Sequence, residues 1–344
     1  MNQYTVAVVG VGAVGEEMLR VLAQRNFPAR DIRVFARSAR TINVDGREYQ
    51  VGETTPDSFN GVDIALFAGT EGEKGAAVTF AAEAVRRGAV VIDNGADFRM
   101  KPNVPLVVPE VNPEALEKHQ GIISNPNCST IQMVVALKPL HDAGKIKRVI
   151  VSTYQAVSGS GRGAIRELEA QAKAWAEGKP LPAPSSYKYP IAFNLIPQIG
   201  GFGEDGYTTE EWKMIAETHK IFGDDTIPVG ATTIRVPVFN SHSESVYVET
   251  ERKIARAEAQ ELLRKAAGVV LVDDPSVAGE GGPAFPFPPE ASGTDSVYVG
   301  RVREDPFIAN GLHMWVVADN LRKGAATNAV QIAETLIQRG LLKK

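Results

Sequence analysis

Apolar positions in the first 125 residues follow two alternating rhythms. Tyr4 to Val9 is a continuous apolar run, the pattern of a strand buried on both faces. Val14, Met18, Val21 and Leu22 then recur at helical spacing, with Glu16, Glu17 and Arg20 on the other side. Ile32 to Phe35, Asp63 to Phe67, Val90 to Asp93 and Gly121 to Ser124 read as four more strands, and Ala76 to Arg87 as a small-residue helix between two of them. Strand–helix–strand alternation with near-continuous apolar strands predicts an α/β domain, a doubly wound parallel sheet covered by helices on both faces.

From residue 146 the rhythm changes. Lys147 to Val157, Gly230 to Val238, Ser245 to Thr250, Ser296 to Val302 and His313 to Ala318 are longer strand candidates, several alternating in polarity. Alternation predicts an antiparallel or mixed sheet with one face less buried, hence a second domain of α+β type. The stretches Lys179 to Pro190 and Pro283 to Pro289 are proline-rich and read as surface loops. A closing helix, Ala325 to Arg339, carries Ala326, Ala329, Val330, Ala333, Leu336 and Ile337 on one stripe. It is expected to return to the first domain, making that domain discontinuous: 1–127 with 324–344 around 128–323.

Composition narrows the class. The 344 residues suit two domains. With 44% apolar and 23% charged residues the chain has the make-up of a globular protein with a sizeable core. Lys and Arg number 37 against 41 Asp and Glu, so neither nucleic acid nor an anionic membrane is indicated as the main partner. A single cysteine, Cys128, excludes an intramolecular disulfide and a cysteine-cluster metal site, and the five scattered histidines show no metal-binding spacing. The amino terminus has no basic segment, and its apolar stretch is cut by glycines, unlike a signal peptide. No run reaches the roughly 18 apolar residues a membrane helix requires. A cytoplasmic, metal-free protein is the expectation.

Gly10-Val-Gly12-Ala-Val-Gly15 follows a strand and opens a helix. Glycines there allow a tight turn and close backbone approach, and the helix N-terminus presents N–H groups to a pyrophosphate, so the first domain is expected to be of Rossmann type. Gly12, Ala13, Val14 and Gly15 are the candidate cofactor cradle. An NAD-binding unit places an acidic residue about 20 positions past the loop. Here the second strand runs instead into Arg37, Ser38 and Arg40, donors suited to a 2′-phosphate, which favours NADP over NAD.

Cys128 lies in Asn125-Pro-Asn-Cys-Ser-Thr-Ile-Gln-Met, where a strand passes into a helix expected over roughly 129–142. The positive end of a helix favours a thiolate, although a buried inert thiol is the alternative reading. Gln155 and Ser158-Gly159-Ser160-Gly161 close the strand from Lys147; Arg235 and His242 stand near other strand ends. Polar groups at the ends of apolar strands are well placed for an active site, and a cysteine with a nearby histidine base is an acyl-transfer pairing.

These segments resemble the bacterial aspartate-semialdehyde dehydrogenase family over essentially the whole chain. The resemblance rests on Asp93-Asn-Gly-Ala-Asp-Phe-Arg99-Met, Val104 to Asn112, Asn125 to Gln132 and Val151 to Gly159. It continues through Phe193 to Gln198, Glu210-Glu-Trp-Lys-Met214, Arg235-Val-Pro-Val238, His242-Ser-Glu244 and Trp315 to Ala326.

The resemblance implies NADP-dependent reductive dephosphorylation of L-4-aspartyl phosphate to aspartate 4-semialdehyde, a step toward lysine, threonine, methionine and isoleucine. It implies that Cys128 is the nucleophile forming a thioester, His242 the acid/base, and Gln155 the residue orienting the acyl group. Arg235 would bind the substrate carboxylate, Glu210 its amino group, and Arg99 with Lys213 the phosphate. Ser158 and Gly159 would line the cofactor's path, with Asn320 beside the nicotinamide. A homodimer, or a tetramer built from dimers, is implied as well. The alternatives are an N-acyl-glutamyl-phosphate reductase and a non-catalytic NADP-binding redox sensor.

Overall fold

A computed structural model describes residues 4–68, 72, 75–277 and 283–342. The chain divides into two compact units, Met1–Asn127 with Ala325–Lys344, and Cys128–Gly324.

The first unit runs β1 (Tyr4–Val9), α1 (Ala13–Gln24), β2 (Ala29–Ala36), β3 (Arg40–Val44), β4 (Arg47–Glu53), β5 (Ile64–Phe67), α2 (Ala76–Arg86), β6 (Val90–Asp93) and β7 (Ile122–Ser124), and takes in the C-terminal helix Thr327–Gln338. Its seven strands lie in the order β3-β4-β2-β1-β5-β6-β7. All neighbours are parallel except β3 and β4. Successive side chains of a strand point to opposite faces, and β1 shows the consequence. Val6 and Val8 join Met18 and Leu22 of α1 and Val330 and Leu336 of the C-terminal helix in one core, whereas Ala7 and Val9 join Ala77, Ala81 and Ala84 of α2 in another. Helices thus cover both faces, as the continuous apolar strands predict. The chain leaves β1 at the centre of the sheet, where neighbouring connections diverge, and such a crevice is where ligands bind in doubly wound sheets. The hairpin β3–β4 has no counterpart among the predicted strands. Its exposed positions are rich in Arg, Asn, Glu and Gln, and turn residues Asp45 (φ 49°) and Gly46 (φ 83°) close it in the left-handed region.

The second unit contains α3 (Cys128–Gly144), β8 (Ile146–Gln155), α4 (Arg162–Ala176), α5 (Thr209–Phe222), β9 (Val229–Arg235), β10 (His242–Thr250), α6 (Arg256–Lys265), β11 (Val269–Leu271), α7 (Pro288–Ala291), β12 (Val297–Glu304) and β13 (Gly311–Ala318). Its mixed sheet runs β11-β12-β13-β10-β8-β9. Helix α3 is buried on every side from Ser129 to Leu137, as a helix through the middle of a unit must be. The opposite face of the sheet is half-exposed along β8, β9 and β10, matching the alternation in polarity. Among the described residues no helix is long and apolar enough to cross a membrane.

Several boundaries differ from the sequence reading. The first long strand stops at Gln155, because Val157–Ser160 turns into a 3-10 helix, and the second stops at Arg235. His242 opens β10 and does not precede it: it pairs with Ala318 of β13 three residues earlier than the predicted start. The closing helix begins at Thr327, after a π turn over Arg322–Ala326. The loop from Pro283 is only partly a surface feature, since Ala284 is buried and Trp315 Nε1 donates to the Pro286 carbonyl.

Candidate active site

Three strands of the second unit finish at one edge of their sheet. Strands β8 and β9 run parallel with Gln155 opposite Arg235, so both carry a polar residue at the same C-terminal end. Strand β10 runs antiparallel to β8 and starts at that edge with His242. All three side chains are buried. This placement follows from strand direction alone: a parallel neighbour brings C-termini together, and an antiparallel one adds an N-terminus.

The backbone of Ala156 orients two of these groups. Its N–H donates to His242 Nδ1 at 3.0 Å, and its carbonyl accepts from Arg235 Nη1 at 2.6 Å. The neutral imidazole therefore carries its proton on Nε2. Burial, with the nearby Arg235 cation, holds the His242 pKa well below the ordinary imidazole range. His242 Nε2 and Arg235 Nε are both buried with no hydrogen-bond partner among the described residues. Buried donors are rarely left so, and at a cluster of this kind they await a ligand. Gly159 makes the room, since a Cβ there would stand 2.9 Å from Arg235 Nη1 and 3.2 Å from His242 Nε2.

Helix α5 supplies the carboxylate. Thr208 and Glu211 form a capping box at its start, and Glu211 Oε1 accepts the Thr233 N–H of β9 at 2.9 Å, which pins the first turn to the sheet. Glu210 in that turn is buried, and Gln155 Nε2 donates to its Oε1 at 3.2 Å. Lys213 Nζ stands 3.7 Å from Glu210 Oε2, one turn on. Gln155, Glu210 and Lys213 thus form one chain of contacts.

Cys128 is the first residue of α3, where the positive end of the helix dipole favours negative charge. It is partly exposed, unlike the residues that follow it. Gly324 lies against it, and a Cβ at that glycine would come within 2.9 Å of Cys128 Cβ. One turn along α3, Gln132 Nε2 reaches the His242 carbonyl at 3.4 Å. Asn320 Oδ1 accepts from the Ser158 hydroxyl at 3.0 Å and from the Ser241 N–H at 2.9 Å. The second contact holds Ser241 in the left-handed region, φ 73°, as the chain turns into β10.

The remaining candidates belong to the first unit. Gly10 adopts φ 101°, and a Cβ on Gly15 would lie 1.8 Å from the Gly10 carbonyl oxygen, so the turn admits no larger residue at Gly15. A Cβ on Gly12, by contrast, would meet nothing within 4 Å, leaving open space at the N-cap of α1 just before Ala13 and Val14. This is a cradle a phosphate could enter. Arg37 and Ser38 are exposed immediately after β2, with Arg40 Nη1 3.3 Å from the Ser38 hydroxyl. Arg99 is buried, donating to the carbonyls of Asn125 and Asn94.

The sequence reading assigned nothing to Ala156, Gln132, Glu244 or Asp319. Asp319 accepts from Asn240, Gly293, Leu321 and Arg322 and so fixes the turn that carries Asn320. No side-chain signal could mark Ala156, because it acts through its backbone.

Comparisons with known proteins place the chain. The profile described as "Semialdehyde dehydrogenase, NAD binding domain" matches residues 5–119, and that described as "Semialdehyde dehydrogenase, dimerisation domain" matches 137–323. Aspartate-semialdehyde dehydrogenase of Aquifex aeolicus is 52% identical, covering 98% of this chain and 99% of that protein. The Bacillus subtilis protein of the same name is 50% identical, covering 98% of each. The crystal structure of aspartate semialdehyde dehydrogenase II complexed with ASA from Vibrio cholerae matches with a TM-score of 0.92 at 46% identity, over 98% of this chain and 99% of that one. The enzyme from Candida albicans, solved with NADP, is 23% identical with a TM-score of 0.72 and shares the fold. On its strand-end site and on these likenesses along nearly its full length, the chain belongs to the aspartate-semialdehyde dehydrogenase family of enzymes.

Proposed function

We propose that the protein converts L-4-aspartyl phosphate to aspartate 4-semialdehyde, with NADPH as reductant, through a thioester on Cys128. The observation that carries this reading is the pair of buried donors without a partner among the described residues, His242 Nε2 and Arg235 Nε, beside Gly159. They match the two demands of the chemistry, a hydrogen bond to an oxyanion and a fork for a carboxylate.

In this mechanism the Cys128 thiolate attacks the acyl carbon, forming the C–S bond as the C–O bond to phosphate breaks. Lys213 and Arg99 hold the departing phosphate. Arg235 grips the substrate carboxylate and Glu210 its ammonium, a preference that a buried carboxylate supports over an acylated nitrogen. Gln155, already bonded to Glu210, orients the acyl chain. His242 works as a donor: with Nδ1 engaged by Ala156, its Nε2–H stabilises the oxyanion on the acyl carbon and then the thiolate expelled as the aldehyde forms. Covalent catalysis divides one difficult displacement into two easier steps.

Gly12, Ala13, Val14 and Gly15 would hold the pyrophosphate, Arg37 and Ser38 the 2′-phosphate, and Ser158, Gly159 and Asn320 the nicotinamide end. When bound, NADPH supplies the hydride that reduces the thioester. The open space at Gly12 and the exposed donors after β2 support this assignment. The dimerisation profile and the half-exposed sheet face support a homodimer built on the second unit, and a biosynthetic enzyme with one thiol fits a cytoplasmic setting.

The test is Cys128→Ser in an assay of phosphate-dependent NADP reduction by aspartate semialdehyde. Turnover should fall at least about ten-thousandfold while NADPH binding persists. Near-normal turnover would remove the thioester from the mechanism, and activity on N-acetylglutamyl phosphate alone would move the chain to the other acyl-phosphate reductase.

A further inference from the structure

Helix α3 packs against β10, and its face toward that strand carries an anomaly. Glu244, two residues after His242 and on the same side of β10, is wholly buried. Opposite it stand Thr153 of β8 and Val316 of β13. Gln132 of α3 lies at hydrogen-bonding reach of the carboxyl, and no cation acts on it among the described residues. Among the described residues neither Glu244 oxygen receives a well-formed hydrogen bond, and Gln132 Oε1 receives none either. Both Glu244 oxygens and Gln132 Oε1 are thus buried acceptors without a donor among the described residues.

An ionised carboxylate in this setting would be a buried charge without compensation. One proton removes both problems, because a carboxylic acid O–H supplies the donor that Gln132 Oε1 lacks. We propose that Glu244 is held as the neutral acid, donating its O–H to Gln132 Oε1, and that the pair positions Cys128 against His242. Burial pushes this carboxyl well above the usual range and outweighs the lowering by the Gln132 contact, in agreement with that state. The remaining contact completes the device: Gln132 Nε2 reaches the His242 carbonyl, while Cys128 sits one helical turn before Gln132. The O–H bond therefore fixes the amide's orientation, and the amide ties α3, one turn past Cys128, to the first residue of β10. Glu244 and Gln132 touch no reacting atom and act through the two residues that do.

This inference rests on the roles given above to Cys128 and His242, so its test includes a readout that needs no turnover. Glu244→Gln keeps a neutral donor, and kcat should stay within about twofold of the native value. Glu244→Leu and Gln132→Leu should each lower kcat about ten- to a hundredfold with KM little changed, as misplacement of reacting groups does. The double leucine variant should be no worse than either single. The pH profile of Cys128 alkylation should shift in the leucine variants and not in Glu244→Gln. Because leucine variants could fail to fold, infrared difference spectra of native protein against Glu244→Gln at neutral pH supply a second measurement. A protonated-carboxyl stretch lost in the variant supports the proposal; a lost carboxylate band overturns it. Equal damage from glutamine and leucine, or unchanged kcat and alkylation in all variants, would also overturn it. If Cys128→Ser kept turnover, the thioester would fall while the alkylation and infrared results stood.

Discussion

The strand-end site of the second unit and the glycine turn of the first solve opposite problems. Around His242 nearly every group is buried and held by another: Ala156 by both its backbone groups, Gln155 on Glu210, Gln132 on the His242 carbonyl. At the glycine turn the chain is shaped by what it leaves out, with Gly12 facing open space and Arg37 and Ser38 in solvent. A covalent step needs donors fixed before the substrate arrives and shielded from water, where each hydrogen bond counts for more. A large anionic cofactor that must come and go is better served by exposed donors and an open backbone surface.

Substitutions that add one methyl group to each region should break this contrast most clearly. Gly159→Ala forces a Cβ against Arg235 and His242, so kcat/KM should fall about a hundredfold in steady-state assays while the protein remains folded. The closely packed site has no slack to absorb even that atom.

The pH dependence of stability tests the buried histidine. A native pKa below the unfolded value means that the unfolded state binds more protons, so His242 costs stability as pH falls below about 6.5. Denaturant titrations should show native protein losing up to about 1.4 kcal/mol per pH unit below that point relative to His242→Asn. Parallel curves would mean that the imidazole is not held neutral.

Gly12→Ala should show the other behaviour. Its backbone lies in ordinary space, φ −77°, and nothing crowds a Cβ, so the melting temperature should hardly change. Calorimetric affinity for NADPH should nonetheless drop about tenfold, because the pyrophosphate must approach the backbone there. The smallest effect is expected from Arg37→Ala, about fivefold on NADPH affinity with NADH unaffected, the size of one exposed charge-assisted contact. Equal losses for both cofactors would take Arg37 out of 2′-phosphate recognition.

Much of the architecture was legible because burial imposes periodicity. The apolar runs of β1, β5, β6 and β7 and the alternating polarity of β8 to β10 are direct imprints of two covered faces or one. The β3–β4 hairpin left no such imprint, being largely exposed. At the site, Cys128, Gln155, Arg235 and His242 announce themselves as polar residues at strand and helix ends. Ala156 does not, since its contribution is a peptide group common to every residue, and Glu244 was visible only as part of a motif with no role attached.

The order of residues alone therefore determined the buried strands of both sheets, where the glycine turn falls and which side chains are chemically capable, because these depend on local periodicity and residue type. Only the folded chain decided which nitrogen of His242 bears its proton and, among the described residues, which donors are left without partners and which carboxyl no cation reaches. Those properties depend on neighbours distant in sequence and on the exclusion of water, neither of which exists before the strands pair.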